Sequence, residues 1–236
     1  MFQTIREDIK SVFEKDPAAK NIIEVLFCYP GLHAIWFYRI AHFFYDNKFY
    51  TFARLISHLA RFLTGIEIHP GAKIGRKVFI DHGMGVVVGE TAEIGDNCLI
   101  YKGVVLGGVS LEKKKRHPTL GRNVVIGSNA CVLGAITIGD NVKIGSNSVV
   151  VKPVPNDATV VGVPGRIIEY PKAHPLDLDH GILPDPVADV VKIILKMQEE
   201  LEDRIKRMEK DHNIFSSDIL TGYKKETHTW MDGGGI

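Results

Sequence analysis

Residues 119–151 read TLGRNVVIGSNACVLGAITIGDNVKIGSNSVVV, and an aliphatic residue returns at every sixth position: Leu120, Ile126, Val132, Ile138, Ile144 and Val150. The same period runs backwards through Leu106, Ile100, Ile94 and Val88, and again through Ile80, Ile74 and Ile68. Gly follows many of these positions, among them Gly75, Gly95, Gly121, Gly127, Gly139 and Gly145. Four places after the aliphatic residue stands a small or β-branched one, as at Val124, Ala130, Val142 and Ser148. Six residues match neither the helical period nor the two-residue alternation of a strand. They match a solenoid of very short strands, in which one hexad makes a flat face and three make a triangular coil. The aliphatic side chains then point inward and stack, and glycine at the corner allows backbone geometry that a Cβ resists.

The period slips twice. Ile80 to Val88 spans eight residues, and Leu106 to Leu120 spans fourteen. Solenoids carry such insertions as outward loops, often on the binding face. The first slip holds His82 within DHGMG, and the second holds His117 within the basic loop SLEKKKRHPT.

The rest of the chain narrows the classes. Its 236 residues suffice for one large core or two small domains. A net charge of +1 gives no global attraction for nucleic acid. No basic, apolar leader is evident. No apolar run approaches the ~20 residues of a membrane span, since Arg39 and His42 interrupt AIWFYRIAHFFY. Cys28, Cys98 and Cys131 lack metal-ligand spacing and read as reduced packing residues of a cytoplasmic protein, with Cys98 and Cys131 at core positions.

Residues 1–65 read as a helical region. Ile5, Ile9, Val12 and Phe13 form a stripe, Asp16 is a candidate N-cap before Pro17, and Tyr29-Pro30-Gly31 is a break. Two aromatic-rich helices follow, over 32–45 and 50–63. They suit a cap on the open end of the solenoid or, alternatively, a subunit contact. The solenoid domain spans 66–168. Residues 169–236 hold a Pro- and Asp-rich linker, a long helix and a flexible tail ending in WMDGGGI. Val187, Val190, Ile194, Met197, Leu201 and Met208 form a narrow row on that helix, interrupted by Arg204. The row fits coiled-coil association or docking on the chain's own body.

IHPGAKIGRKVFIDHGMGVVVGETAEIGDN, followed by VVLGG, RHP and GVPGR, resembles the serine O-acetyltransferases of the hexapeptide-repeat acyltransferase family. KDPAA and PGLHAIWFYRIAH resemble the same enzymes, so the likeness covers about three quarters of the chain. It implies an α+β protein with a left-handed parallel β-helix, and transfer of acetyl from acetyl-CoA to the hydroxyl of L-serine for cysteine biosynthesis. It implies His82 as general base, matching chemistry in which a poorly nucleophilic hydroxyl needs an imidazole near neutral pH. Glu67 stands where the family has the Asp that orients this His. Asp81 and Asp16 match carboxylates near the substrate amino group. Arg116 and His117 match the pair facing the substrate carboxylate, a group that guanidinium binds with two parallel hydrogen bonds.

For coenzyme A the resemblance points to Gly107, Gly108, Ser128 and Ser146, with Lys143 and Arg166 toward the phosphates. Ser128 and Ser146 lie one three-hexad coil apart and should stack. Lys113, Lys114 and Lys115 offer either a solvated loop or further attraction for phosphate. The family implies direct transfer without an acyl-enzyme, and no resident metal. It implies a homotrimer or dimer of trimers with the site between subunits, and L-cysteine as feedback inhibitor. Its members bind O-acetylserine sulfhydrylase through a C-terminal Ile, here Ile236. Three other readings stand beside this one, the blandest being a scaffold without enzymatic activity. The solenoid also suits another hexapeptide-repeat acetyltransferase with a different small acceptor. His69, His82 and His117 supply the number of ligands, though not the spacing, of a zinc site like that of a solenoid carbonic anhydrase.

Overall fold

A computed structural model of the chain describes residues 2–168 and 186–211. The hexads form strands of two or three residues, which the chain distributes in rotation to three sheets. The first sheet holds β1 (Glu67–Ile68), β4 (Val87–Val88), β7 (Val105–Gly107), β10 (Cys131–Leu133) and β13 (Val149–Val150). The second holds β2 (Lys73–Ile74), β5 (Glu93–Ile94), β8 (Thr119–Leu120) and β11 (Thr137–Ile138). The third holds β3 (Phe79–Ile80), β6 (Leu99–Ile100), β9 (Val125–Ile126), β12 (Lys143–Ile144), β14 (Thr159–Val161) and β15 (Arg166–Ile168).

The register follows the hexads. Cys131 pairs with Val149, three hexads on. Glu67 pairs with Val87, two residues beyond three hexads, and Val105 pairs with Cys131, eight beyond. These excesses are the two slips, so each insertion leaves the sheets as a loop and the strands stay aligned. Pairing is parallel until the end, where β15 turns back antiparallel on β14.

The inward row is buried from Ile68 to Val150, with Ile74 alone half-buried. Val124, Ala130, Val142 and Ser148 are fully buried beside it. At roughly 1.5–3 kcal/mol per buried aliphatic side chain, this column outweighs the few ladder bonds that such short strands make.

Two expectations about corners and packing need correction. The glycines after the aliphatic residues do not adopt left-handed backbone. They serve close approach: a Cβ on Gly95 would lie 2.4 Å from the carbonyl oxygen of Gly121. The left-handed positions between the second and third sheets are Lys77, Asn97, Asn123, Asn141 and Asp157, at φ of 56°, 62°, 57°, 60° and 60°. Asn tolerates that region through its short polar side chain. Asn97 donates to Asn123, Asn123 to Asn141 and Asn141 to Asp157, at 2.8, 2.8 and 2.9 Å. Among the cysteines, Cys98 is buried, Cys131 half-buried and Cys28 exposed, and all three are free thiols. Cys131 takes the outward position of its strand because Val132 is the inward residue.

The N-terminal helices are α1 (Phe2–Lys15), α2 (Ile22–Cys28), α3 (Pro30–Asp46) and α4 (Tyr50–Thr64). Asp16 caps no helix; Asn21 caps α2 by accepting from the Glu24 N–H at 2.9 Å. The break at Pro30 is the first turn of α3, where proline's missing N–H costs nothing. Phe13 is exposed, whereas Asp8 is buried on the same helix and pairs with Arg39. The helices meet the first strand of each sheet through side-chain hydrogen bonds. Ser57 donates to Ile68 O at 2.7 Å, Tyr38 donates to Ala72 O at 2.7 Å, and Lys15 donates to Lys77 O at 2.7 Å. They thus satisfy carbonyls that a bare first layer of strands leaves open.

The chain divides into two units, Met1–Leu183 and Pro184–Ile236, of which residues 2–168 and 186–211 are described. In the second, α5 (Pro186–Asp211) exposes Val190, Ile194, Met197, Leu201, Ile205 and Met208. The linker expected over 169–185 and the tail with Ile236 lie outside the described residues.

Candidate functional site

The first slip lies in the turn that leads from β3 in the third sheet to β4 in the first. Asp81 N donates to Ile100 O at 2.8 Å, and the turn then tightens through Gly83 N to Asp81 O and Met84 N to His82 O, both 2.7 Å. His82 adopts left-handed backbone at φ 57°, unusual for a residue with a full side chain. A Cβ on Gly83 would lie 2.3 Å from Ile66 Cδ1, so glycine is required where the turn presses on β1. The result is an imidazole held outward, 75% exposed, with Nε2 3.9 Å from Asp81 Oδ2.

Asp81 and Asp16 share this place. Burial and the charge of Asp16 hold the Asp81 carboxyl above its ordinary range, against the opposing effect of His82. Asp16 accepts from Tyr29 Oη at 2.6 Å and from Ala18 N at 2.8 Å. Burial and that bond to Asp16 push the Tyr29 phenol upward, and Tyr101 is pushed upward by burial and by Asp81 and Asp16. Two carboxylates and two phenols thus act on one another beside the imidazole.

Glu67 lies on β1, whose approach is tied to the His82 turn by Gly85 N donating to Gly65 O at 2.9 Å. Its carboxylate pairs with Arg61 at 3.1 Å. Among the described residues no hydrogen bond joins Glu67 to His82.

A second cluster lies on the turns from the first sheet to the second. Arg116 donates through Nη2 to Glu90, which also accepts from Tyr45 Oη at 3.0 Å. The bond from Arg116 holds the Glu90 carboxyl below its usual range. Thr91 Oγ1 accepts from Arg116 N at 3.0 Å and from His117 N at 3.1 Å. His117 Nδ1 accepts from Thr91 N at 3.2 Å and lies 2.9 Å from Thr91 Oγ1. A ring nitrogen that accepts a main-chain N–H carries no proton, so the neutral ring bears its proton on Nε2. Burial and the neighbouring Arg116 lower the His117 pKa, which favours that neutral form. Gly89 and Gly108 leave the space that this ring occupies. His69, after β1, is lowered to about 4 by burial. Of the loop lysines, Lys114 pairs with Glu112 and Lys115 with Glu93.

The expected coenzyme positions divide between these two lines of turns. Ser128 and Ser146 continue the line of His82: Gly103 N donates to Met84 O, Asn129 N to Lys102 O and Asn147 N to Ser128 O, at 2.8–2.9 Å. Lys143 and Arg166 lie on β12 and β15 of the adjoining third sheet. Gly108 lies against Arg116 and His117, whereas Gly107, at the end of β7, faces Leu133. One chain therefore carries His82, Asp16 and Asp81 on one line, and Arg116 and His117 on another.

Sequence reasoning passed over Tyr29, Tyr101, Glu90, Thr91 and Arg61. Glu90 and Thr91 sit in GETA, a segment that carried the resemblance without a role for either residue. Among the described residues, no three of His, Cys, Asp or Glu are placed to hold a metal ion, and no helix is long and apolar enough to cross a membrane.

Known proteins match this arrangement. Residues 117–152 match the family described as bacterial transferase hexapeptide (six repeats). A serine acetyltransferase of Bacillus subtilis is 55% identical over 212 residues, covering 88% of this chain and 98% of the relative. One from Synechococcus elongatus is 53% identical over 205 residues, covering 87% of this chain and 84% of its own. Among solved structures, Neisseria gonorrhoeae serine acetyltransferase in complex with serine superposes with a TM-score of 0.69 at 42% identity, over 71% of this chain and 69% of that one. A serine acetyltransferase in complex with cysteine gives 0.72 at 40% identity, over 75% and 69%. Another in complex with CoA gives 0.66 at 40% identity, over 70% and 68%.

Proposed function

Since the chain belongs to the serine acetyltransferases, which transfer acetyl from acetyl-coenzyme A to the hydroxyl of L-serine, we propose that His82 is the general base of that transfer. The carrying observation is its imidazole, pushed outward on a left-handed turn beside the Asp16–Asp81 pair. Serine's ammonium fits between those carboxylates, and its carboxylate fits Arg116 and His117. His82 takes the hydroxyl proton while the serine oxygen bonds to the thioester carbon. The tetrahedral adduct then expels the coenzyme thiolate, which recovers the proton from the imidazolium. The His117 Nε2–H is a fixed donor that suits the substrate carboxylate. Glu67, released from Arg61, would steady the imidazolium.

Coenzyme A lies, in this reading, along Ser128 and Ser146, with Lys143 and Arg166 toward its phosphates and Gly107 and Gly108 leaving room at the other end. Serine must touch two separate lines of turns, which supports a homotrimer in which neighbouring chains complete each site. The exposed Phe27, Phe43, Phe52 and Phe62 of α2–α4 support a further contact that pairs trimers. We also propose the left-handed sense of winding, which a crystal structure would read together with the assembly. L-Cysteine fits the same carboxylate and ammonium contacts and so acts as feedback inhibitor. Ile236, outside the described residues, is proposed to enter O-acetylserine sulfhydrylase; a chain lacking Ile236 should lose that binding in calorimetry. The three free thiols agree with a cytoplasmic setting.

The test follows thiol release from acetyl-coenzyme A with serine and a panel of other small acceptors. Serine should be the preferred acceptor, and His82→Ala should lower turnover by about 10²–10⁴-fold. Turnover within tenfold of the parent would remove His82 from this role.

A further inference from the structure

Lys15 is the last residue of α1, and its side chain is mostly buried against the strands. Its ammonium donates to Lys77 O at 2.7 Å and to Cys98 O at 3.4 Å. Both carbonyls stand at the entry to β3 and to its neighbour β6. The next residue is Asp16, whose carboxylate meets Tyr29 and, at the exit of β3, raises Asp81. The end of α1 therefore sits on β3 at two points, Lys15 at the strand's entry and Asp16 at its exit.

Lysine carries a cost here beside the carbonyl bonds that it supplies. Among the described residues no carboxylate lies within ion-pair distance of this ammonium, and burial lowers its pKa to about 8. An ammonium satisfied only by main-chain carbonyls carries a desolvation cost that an apolar side chain of the same length avoids. Lys15 also lines a polar recess with Glu7, Glu14, Arg76 and Asp96. A pair of fixed carbonyl acceptors gives the one following residue a defined position.

We infer that Lys15 is a positioning residue for serine: its bonds to Lys77 O and Cys98 O hold Asp16 where the substrate ammonium binds. This rests on the assignment of Asp16 to that ammonium. Lys15→Met fills the same space without the two bonds. Site geometry tolerates little displacement, so the KM for serine should rise about tenfold, with kcat within about twofold and the KM for acetyl-coenzyme A unchanged.

The experiment measures these constants for Lys15→Met, Asp16→Asn and the double variant, with thermal midpoints for each. If Lys15 acts through Asp16, the double variant has the serine KM of Asp16→Asn alone, because the two losses are one loss. The midpoint of Lys15→Met should stay well above the assay temperature, so that the shift in KM reads the placement of Asp16 and not unfolding. A serine KM unchanged in Lys15→Met but raised in Asp16→Asn overturns the inference and spares the Asp16 assignment. An unchanged KM in Asp16→Asn overturns both. Multiplicative effects in the double variant, or a rise in the KM for acetyl-coenzyme A to match, would also overturn it. Should Lys15→Met fail to fold, Lys15→Gln, too short for both carbonyls, carries the same expectations.

Discussion

The carboxylates of Asp16 and Asp81 lie close enough to repel each other, although sixty-four residues and three helices separate them in the chain. Asp16 arrives on the turn after α1 and Asp81 on the turn after β3. Burial of Asp81 and its repulsion by Asp16 make this place less stable than a neutral side chain there would.

That cost has a sign and a pH window. Asp81 is held above its ordinary value of 3.8, so the folded chain binds its proton more readily than the unfolded chain. Stability attributed to this group is present below 3.8 and is lost as pH rises through the raised folded value. Asp81→Asn should therefore melt higher than the parent at pH 7, with the difference fading toward pH 3.8. Saturating serine should raise the parent midpoint and leave the variant's almost unmoved. Equal midpoints at pH 7 would count against the repulsion.

Glu90 aims Arg116, and Tyr45 aims Glu90. Glu90→Gln keeps the shape and removes the charge that Arg116 faces. A lost charged hydrogen bond is worth about 1.5–3 kcal/mol, so the serine KM should rise by roughly 10–100-fold. Tyr45→Phe should give a smaller rise in the same direction. A rise in the KM for acetyl-coenzyme A alone would move Arg116 away from the substrate carboxylate.

Thr91 fixes the tautomer of His117. In nitrogen-resolved NMR at neutral pH, the His117 ring should appear neutral and protonated on Nε2. Thr91→Val removes the oxygen that collects Arg116 N and His117 N but keeps the main-chain N–H that Nδ1 accepts, so the ring signals should broaden while the Nε2–H tautomer persists. Since burial and Arg116 lower the His117 pKa, protonation should begin only below the ordinary histidine range. A ring already charged at pH 6.5 would contradict this.

Glu67 is bound to Arg61 rather than to His82, so its contribution to turnover should be the smaller of the two. Glu67→Gln should cost less than His82→Ala, and Glu67→Asp should keep most activity. Arg61→Ala should then shift the pH profile of kcat, because it releases the carboxylate toward the imidazole. A silent Glu67→Gln together with an unmoved profile in Arg61→Ala would mean that no such pair operates.

The period made the three sheets and both slips readable, because an inward Ile or Val misplaced by one residue would face water. Ser128 above Lys102 and below Ser146 follows from the same counting. The residues that position the site were not readable that way. Glu90 meets Arg116 across an insertion of eight residues, and no period runs through an insertion. Asp16 looked like a cap because Asp before Pro often is one, but Tyr29 and Asp81 claim it. The asparagines at left-handed positions were overshadowed by the glycines next to them in the hexad. Arg61 sits on α4, so its partner on β1 depends on how the helices dock, which the hexads do not specify.

The antiparallel strand β15 and the side chains of Ser57, Tyr38 and Lys15 share a consequence at opposite ends of the stack. Parallel strands of two residues, laid one above another, are a template that any similar segment could extend. At one end the helices spend hydroxyls and an ammonium on the open carbonyls. At the other, a strand of reversed direction occupies the third sheet. A newcomer in the parallel register finds its bonding partners on that sheet already engaged. The repeat thus contains its own stop, and growth into fibres is blocked by polarity as much as by shape.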